Sequence, residues 1–290
     1  MNKNYIILPT YNDWKSLNKV LIALNKTHTN SFKNINVLVV NDCSVIKYKF
    51  SKKKFNKIKT LKILNLRKNV GSQKSIFIGL KYLQKRLRGK NNKCIISVLD
   101  SDGEDNPYKL KILSTLAVQN EDCFIFASRK QRTENIIFKT LNYFRLLITF
   151  LLTGKFINFG NFSSFSNKLL KHILKNNNLS VAYSSGVIKN YKKIICFDIE
   201  KNKRYFDSSK VNIKFLIFHS INIISVFTFE VFIRTFFVLL LFLIFFNGTS
   251  LNLLLISIFL IINLIFLISK IFFQINKNIL NNVGSVKKIK

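Results

Sequence analysis

The amino-acid sequence predicts an α/β domain with a mostly parallel sheet, continued by interfacial helices and a C-terminal transmembrane helical hairpin. Three observations carry this. Apolar, strand-like runs alternate with helical periodicity through residues 5–127. Asp100, Asp102, Glu104 and Asp105 follow directly on one of those runs. Beyond Glu230 the chain has no acid and two long apolar stretches.

Residues 5–8 are the first β-rich run, followed by a polar loop at 9–13 and a helical stretch at 15–24. Residues 37–40 predict a second strand ending in Asn41-Asp42, and 62–66 a third. Across 75–87, Ile76, Leu80, Leu83 and Leu87 recur at helical spacing. Residues 95–99 predict a fourth strand running into the acidic cluster, and 123–127 a fifth. Apolar strands alternating with helices imply a parallel sheet buried on both faces. Ligands bind in polar loops at the carboxyl ends of such strands.

Two amphipathic segments follow. Residues 136–152 carry Lys139 and Arg145 on an otherwise apolar helix, and 211–229 follow the basic stretch 201–204. Both suit a membrane interface, apolar face toward lipid and cations toward phosphates; core helices are the alternative. Residues 231–246 and 251–273 are apolar nearly all round and are joined through the turn signal Asn247-Gly248. A bilayer core of about 30 Å takes roughly 20 helical residues, so a hairpin is expected, with Glu230 and Arg234 near the interface. Two buried core helices are the competing reading. The intervening loop has no Lys or Arg, whereas Lys287, Lys288 and Lys290 lie in the tail. The positive-inside rule then puts both termini and the α/β domain in the cytoplasm. The opening apolar run is too short for a signal-peptide core.

Composition narrows the partners. The 290 residues hold 47 Lys or Arg against 13 Asp or Glu, a formal charge of +34, yet 48% are hydrophobic. A disordered basic tail is excluded, because such chains lack apolar residues to bury. Basicity combined with a mean hydropathy of +0.18 points to a membrane or another polyanion. Nucleic acid is the weaker choice: the cations are dispersed and no helix-turn-helix, finger or RNP-like motif is present. The 4 cysteines are scattered without a CxxC pair, which argues against a zinc site or disulfide scaffold and for a reducing compartment.

The sharpest local signal is V-L-D-S-D-G-E-D-N-P at 98–107. Two aspartates at i and i+2 beyond a buried strand repel each other unless a positive charge sits between them. A divalent cation on a diphosphate supplies it, and hard oxygen ligands suit Mg²⁺ or Mn²⁺. Read alone, the same residues also make a turn that caps the next helix.

The companion motifs are I-I-L-P-T-Y-N-D (6–13), V-V-N-D-C-S (39–44), N-V-G-S-Q-K-S-I-F-I-G-L (69–80) and A-S-R-K-Q-R (127–132). In this order they resemble the nucleotide-sugar-binding domain of family 2 glycosyltransferases, which have the Rossmann-like GT-A fold. Within that family the chain looks most like the polyprenyl-phosphate (dolichol-phosphate-type) sugar transferases. K-R-Y-F-D-S-S-K-V (203–211) and residues 220–234 resemble that group's basic loop and juxtamembrane segment.

The resemblance implies roles. Pro9, Tyr11 and Asp13 line the donor pocket, and Asn41 and Asp42 face the base. Asp100, Ser101 and Asp102 hold ribose, diphosphate and metal, with Glu104 as a further contact to Mg²⁺ or Mn²⁺. Arg129 meets the acceptor phosphate, helped by Arg132, Arg204 and Lys210; guanidinium forks match two phosphate oxygens at once. Asp102 and Arg129 are the catalytic candidates. The chain departs from the family pattern at Asn41 (usually Asp), Asp13 (usually Glu), Glu104 (usually Gln) and in N-F-G-N-F-S-S-F-S at 158–166, where relatives tend to carry an acid.

The implied organisation is a nucleotide-sugar-binding core at 1–135, an acceptor-side region at 136–230, two transmembrane helices at 231–273 and a basic cytoplasmic tail at 274–290. The implied partners are a nucleotide-diphosphate sugar, a polyprenyl phosphate and the membrane, with no nucleic acid; a homo-oligomer is compatible. Two alternatives stand beside this: a family 2 transferase acting on a surface glycan or another lipid, and a non-catalytic membrane binding protein retaining the fold.

Overall fold

Ile6, Ile7 and Leu8 are all fully buried in the computed structural model, which describes residues 3–26, 34–48, 55–89, 93–129, 136–200, 202–206, 213–245, 249–274 and 279–289. Successive strand side chains point to opposite faces, so both faces of the sheet are covered. Ile6 and Leu8 join one apolar cluster with Trp14, Leu17 and Leu113. Ile7 joins another with Ile76, Leu80 and Tyr183.

The strands are β1 (Lys3–Thr10), β2 (Asn34–Asn41), β3 (Ile58–Leu66), β4 (Cys94–Val98), β5 (Phe124–Arg129), β6 (Phe159–Ser166), β7 (Ile194–Ile199) and β8 (Val283–Lys288). They form one sheet ordered β7-β5-β6-β4-β1-β2-β3-β8. β1 pairs in parallel with β2 and β4, as does β2 with β3; β6 is antiparallel to β4 and β5. Helices α1 (Trp14–Lys26) and α2 (Ser72–Leu87) lie where hydrophobic spacing puts them, with α3 (Leu110–Gln119) after the acidic loop. Gly79 lets α2 approach the sheet: a Cβ there would lie 3.0 Å from side-chain carbons of Ile7 and Val40. Pro9 sits in a central strand without breaking it. The Ile7 carbonyl accepts from Leu99 on the β4 side. Pro9, two residues on, faces that same side beyond the last pair, Ile7↔Val98, where no partner needs its missing N–H.

The sheet does not stop at residue 135. β6 and β7 extend it, and β8 pairs antiparallel with β3, Lys62 opposite Lys288. The segment expected as a basic tail is thus partly an edge strand, anchored because Leu280 and Val283 pack on the core below α2.

Between β5 and β8 lie α4 (Ile136–Thr153), the short helices α5 (Leu170–Ile173) and α6 (Asn178–Val181), α7 (Tyr183–Asn190), α8 (Ile213–Ser225), α9 (Thr228–Phe245) and α10 (Thr249–Phe273). α9 and α10 are long and apolar enough to cross a membrane, and only 6% of each apolar window is buried. A pair of soluble core helices would be mostly covered, so that reading fails. The two helices pack on each other through Phe232, Phe236 and Phe259, and Asn263 donates to Thr235 across the seam at 3.0 Å. α4 also leaves Phe144, Ile148 and Leu151 exposed, so it is not a core helix. Polar groups gather at one end of this apolar assembly. Lys189 pairs with Glu230, Lys270 donates to Thr228 at 3.1 Å, and Arg234 reaches the Leu151 carbonyl at the C-terminus of α4, where the helix dipole favours a cation.

Candidate active site

In the order β3-β2-β1-β4 the chain direction of winding reverses between β1 and β4, so a crevice opens beyond their carboxyl ends. Three loops meet there: 11–13 after β1, 42–48 after β2 and 99–106 after β4. They are tied together locally. Asn12 takes a left-handed conformation (φ 55°), and its Oδ1 accepts from Val45 and Ile46 at 2.9 and 3.2 Å. Its own N–H donates to Ser44 at 2.8 Å, and the Trp14 indole donates to the Ile46 carbonyl at 2.7 Å. Tyr11 is left half-exposed beside this latch.

Asn41 and Asp42 are turned inward. Asn41 Nδ2 donates to Asn65 Oδ1 at 2.9 Å, while its Oδ1 accepts from Ser44 N–H at 3.0 Å. Asn65 in turn donates to Ser285 on β8 at 3.0 Å. An aspartate cannot donate, so this bridge needs the amide. Asp42 is buried and accepts from the N–H groups of Val70 and Gly71, both at 2.8 Å. Burial pushes its carboxyl above the ordinary value, and those two bonds oppose the rise. These side chains, expected to face a base, hydrogen-bond to Asn65, Ser44, Val70 and Gly71.

The acidic loop divides by role. Asp105 is buried and its Oδ2 accepts from Asp100 N–H at 2.9 Å. Asn106 caps the single 3-10 turn Pro107–Lys109, so the capping reading holds for the loop's second half. Gly103 has φ +88°, and Asp102 Oδ1 accepts from Glu104 N–H at 3.0 Å. Ser101 is buried. Glu104 lines a water-sized hollow of about 10 Å³ with Ala127, Ser128, Gly160 and Glu200. Asp100 and Asp102, in the loop's first half, are only partly buried. The Asp102 carboxyl is pushed up to about 6, first by burial and next by the charge of Asp100.

Two side chains answer that negative charge. Asn161 on β6 donates to both oxygens of Asp100, at 3.1 and 3.4 Å. Gln73 of α2 donates to Asn161 at 3.2 Å and accepts from Tyr183 N–H at 2.7 Å, so a chain of amides runs from α7 to Asp100. Arg204 sets Nη2 3.3 Å from Asp13 and Nε 3.6 Å from Asp102. Its backbone is held over the loop: Asn202 N–H donates to the Glu104 carbonyl at 2.9 Å and Tyr205 N–H to that of Asp102 at 3.1 Å. The Tyr205 ring lies on Gly103, where a Cβ would come within 2.4 Å of it. Arg204, expected on an acceptor phosphate, lies between the carboxylates of Asp13 and Asp102. Arg129 ends β5 on the same rim, and only its backbone is described. Arg132 and Lys210 lie outside the described residues.

Among the described residues no three His, Cys, Asp or Glu side chains converge as a self-sufficient metal cage. The donor set nevertheless fits a hard cation. Asp100 and Asp102 offer carboxylate oxygens whose mutual repulsion is offset by one amide and one guanidinium, and Mg²⁺ sites typically take one or two carboxylates plus substrate phosphates. Sequence reasoning missed Asn161 and Gln73. Gln73 lies inside a recognised motif, and Asn161 stands in the 158–166 segment where relatives tend to carry an acid.

A mixed sheet covered by helices on both faces, with an acidic loop at its switch point, is the GT-A fold of nucleotide-sugar transferases. Residues 5–174 match the model of glycosyl transferase family 2, and the chain belongs to that family. No curated protein matches the chain. Among solved structures, glucosyl-3-phosphoglycerate synthase from Mycobacterium tuberculosis, in complex with Mn²⁺, UDP-glucose and phosphoglyceric acid, is 13% identical with a TM-score of 0.55, covering 79% of this chain and 80% of that one. A mycobacterial protein is 11% identical with a TM-score of 0.51, covering 79% and 74%. TarS 1–349 of S. aureus in complex with UDP-GlcNAc is 20% identical with a TM-score of 0.47, covering 80% and 69%. At these identities the likeness is one of fold.

Proposed function

We propose that this protein is a membrane-anchored, inverting glycosyltransferase that moves a sugar from a nucleotide-diphosphate sugar to a polyprenyl phosphate. The observation that carries the reading is the Asp100/Asp102 pair at the carboxyl end of β4, balanced by Asn161 and Arg204. The Mn²⁺ and UDP-glucose of the M. tuberculosis synthase structure make a UDP-sugar the first donor to try.

Asp100 and Asp102 would hold Mg²⁺ or Mn²⁺ against the donor diphosphate, with Glu104 within the same loop. A bound divalent cation supplies neutralisation of the departing nucleoside diphosphate. Asn161 keeps Asp100 oriented for this, at no net charge. Tyr11 and Asp13 line the nucleotide side, over loops braced by Asn41 and Asp42. With a donor bound, Arg204 would exchange its carboxylates for phosphate oxygens, a better match for its fork. The acceptor phosphate oxygen then attacks the anomeric carbon from the face opposite the diphosphate; the new C–O bond forms as the old one breaks, inverting the centre. That nucleophile is already anionic, so positioning by Arg129, Arg132 and Lys210 replaces a strong general base.

A lipid acceptor is supported by the exposed apolar faces of α4, α9 and α10, since contiguous apolar surface of this size marks a membrane contact. With α9 and α10 as a spanning hairpin, both termini and the GT-A domain lie on the cytoplasmic side. The test is a transfer assay with membranes, labelled UDP-sugars and a short polyprenyl phosphate. Label on the polyprenyl phosphate is expected. Label only on glycan or diacylglycerol would redirect the acceptor, and no transfer from any donor would favour a binding protein that keeps the fold.

A further inference from the structure

A second cavity, of about 160 Å³, opens at the opposite end of the parallel strands from the acidic loop. Its floor is the amino-terminal half of β1, β2 and β3, through Tyr5, Asn36 and Thr60, which share one row of the sheet: Tyr5 is paired with Asn36 and Asn36 with Thr60. One wall is the last two turns of α2, with Tyr82 and Arg86. Lys3, Lys59 and Lys62 complete the rim.

The electrostatics of this cavity are one-sided. Lys62 stands directly opposite Lys288 in the β3–β8 ladder, and like charges facing across a sheet are destabilising. Lys62 is held below the ordinary lysine range by burial first, then by the charges of Arg86 and Lys288, so the three cations feel one another. Among the described residues none of Lys3, Lys59, Lys62 and Arg86 has a carboxylate within ion-pair distance. Sequence explains this: no Asp or Glu occurs between Asp42 and Asp100, or after Glu230, and β3, α2 and β8 lie in those intervals. Asn36 and Thr60 hydrogen-bond each other at 2.8 Å, a polar floor rather than an apolar one. The Tyr82 hydroxyl accepts from Arg86 at 3.4 Å, holding that guanidinium at the rim.

We propose that this cavity is a binding site for a small, soluble, phosphate-bearing anion, separate from the donor site. Repulsion between cations that face one another becomes a gain when an anion sits between them, and ammonium and guanidinium groups on one rim are phosphate donors. At about 160 Å³ the cavity has room for a phosphate or diphosphate group. A soluble source is favoured over a lipid headgroup by position. Lys74, at the start of α2, lies over the ring of Phe273 at the end of α10. Arg86 is twelve residues further along the same helix, about 18 Å at 1.5 Å per residue, and so away from the apolar assembly.

The experiment uses the full chain in detergent, free of divalent cations, titrated with inorganic pyrophosphate and followed by calorimetry and phosphorus NMR. Unaltered protein and Lys171→Ala, an exposed cation outside both the cavity and the donor loops, should bind pyrophosphate equally. The pair Lys62→Ala with Arg86→Ala should weaken binding by roughly tenfold or more, and Lys62→Arg with Arg86→Lys should restore it, which guards against misfolding. Phosphatidylglycerol vesicles should not compete for the site. The proposal is overturned if pyrophosphate does not bind, if the alanine pair binds as tightly as the unaltered protein, if sodium chloride of equal ionic strength reproduces the signal, or if only the vesicles bind in a Lys62-dependent way.

Discussion

Asn161 Nδ2 lies 3.1 Å from Asp100 Oδ1, two residues beyond the last β4–β6 pair, Val98↔Ser163, and in the same register. The amide thus stands directly opposite the first aspartate of the acidic pair, at a place where an acid would repel it. It orients Asp100 without adding negative charge next to Asp102.

Replacing Asn161 by Ala should leave the fold intact and loosen Asp100. UDP affinity in the presence of Mn²⁺ should fall about tenfold, the scale of losing a hydrogen bond to a charged group. Titration calorimetry checks this. Unchanged affinity would mean that Asn161 only supports the sheet.

Asn41→Asp should be a stability variant. The amide donates to Asn65 and accepts from Ser44; an aspartate would turn two oxygens on each other at that contact. The expected loss is about 1–3 kcal/mol, read as a lower denaturation midpoint. A donor affinity change without a stability change would restore Asn41 to a base-facing role.

Asp102 gives a pH signature in donor-free, cation-free protein. Its folded carboxyl is raised from 3.8 to about 6, by burial first and the charge of Asp100 second. A raised folded value means that the folded state holds its proton longer than the unfolded one. The associated stability is fully present below about pH 3.8 and is lost as pH rises through about 6. Melting temperature should therefore decline over that window, and Asp102→Asn should flatten this part of the curve.

The path of the chain after α10 predicts sidedness. β8 pairs with β3 inside the domain, so with α9 and α10 as the proposed spanning hairpin, the residues on both sides of it would belong to one face of the membrane. In a cysteine-free background, a membrane-impermeant maleimide should label Ser250→Cys in intact cells and Ser285→Cys only after permeabilisation. The reverse pattern would invert the orientation.

The first five strands and both long apolar helices were legible in the sequence, because each is a sustained apolar run bounded by polar residues. β6 was not. Its F-G-N-F-S-S-F-S lacks β-branched residues, and two of its buried serines take partners distant in sequence, Ser164 with Ser97 and Ser163 with Tyr183, both at 2.8 Å. β8 was hidden by its lysines, which read as a tail until Val283 and Leu280 are seen on the core. The acidic pair was legible through its motif. The inward turn of Asn41 and Asp42 and the reach of Arg204 to Asp13, 191 residues away, depend on loop packing that spacing along the chain does not encode.

The central claim is that Asp100 and Asp102 bind a nucleotide sugar through a divalent cation and deliver its sugar to a lipid phosphate. Its most direct test is the rate of labelled sugar transfer to a short polyprenyl phosphate, for the unaltered protein and Asp102→Ala, with Mn²⁺ or Mg²⁺ and with chelator. Transfer is expected from the unaltered protein with either metal and none with chelator, and Asp102→Ala should lose at least roughly a hundredfold, comparable to removing one electrostatic stabiliser of a transition state. Undiminished transfer by Asp102→Ala, or by the unaltered protein in chelator, would contradict that claim.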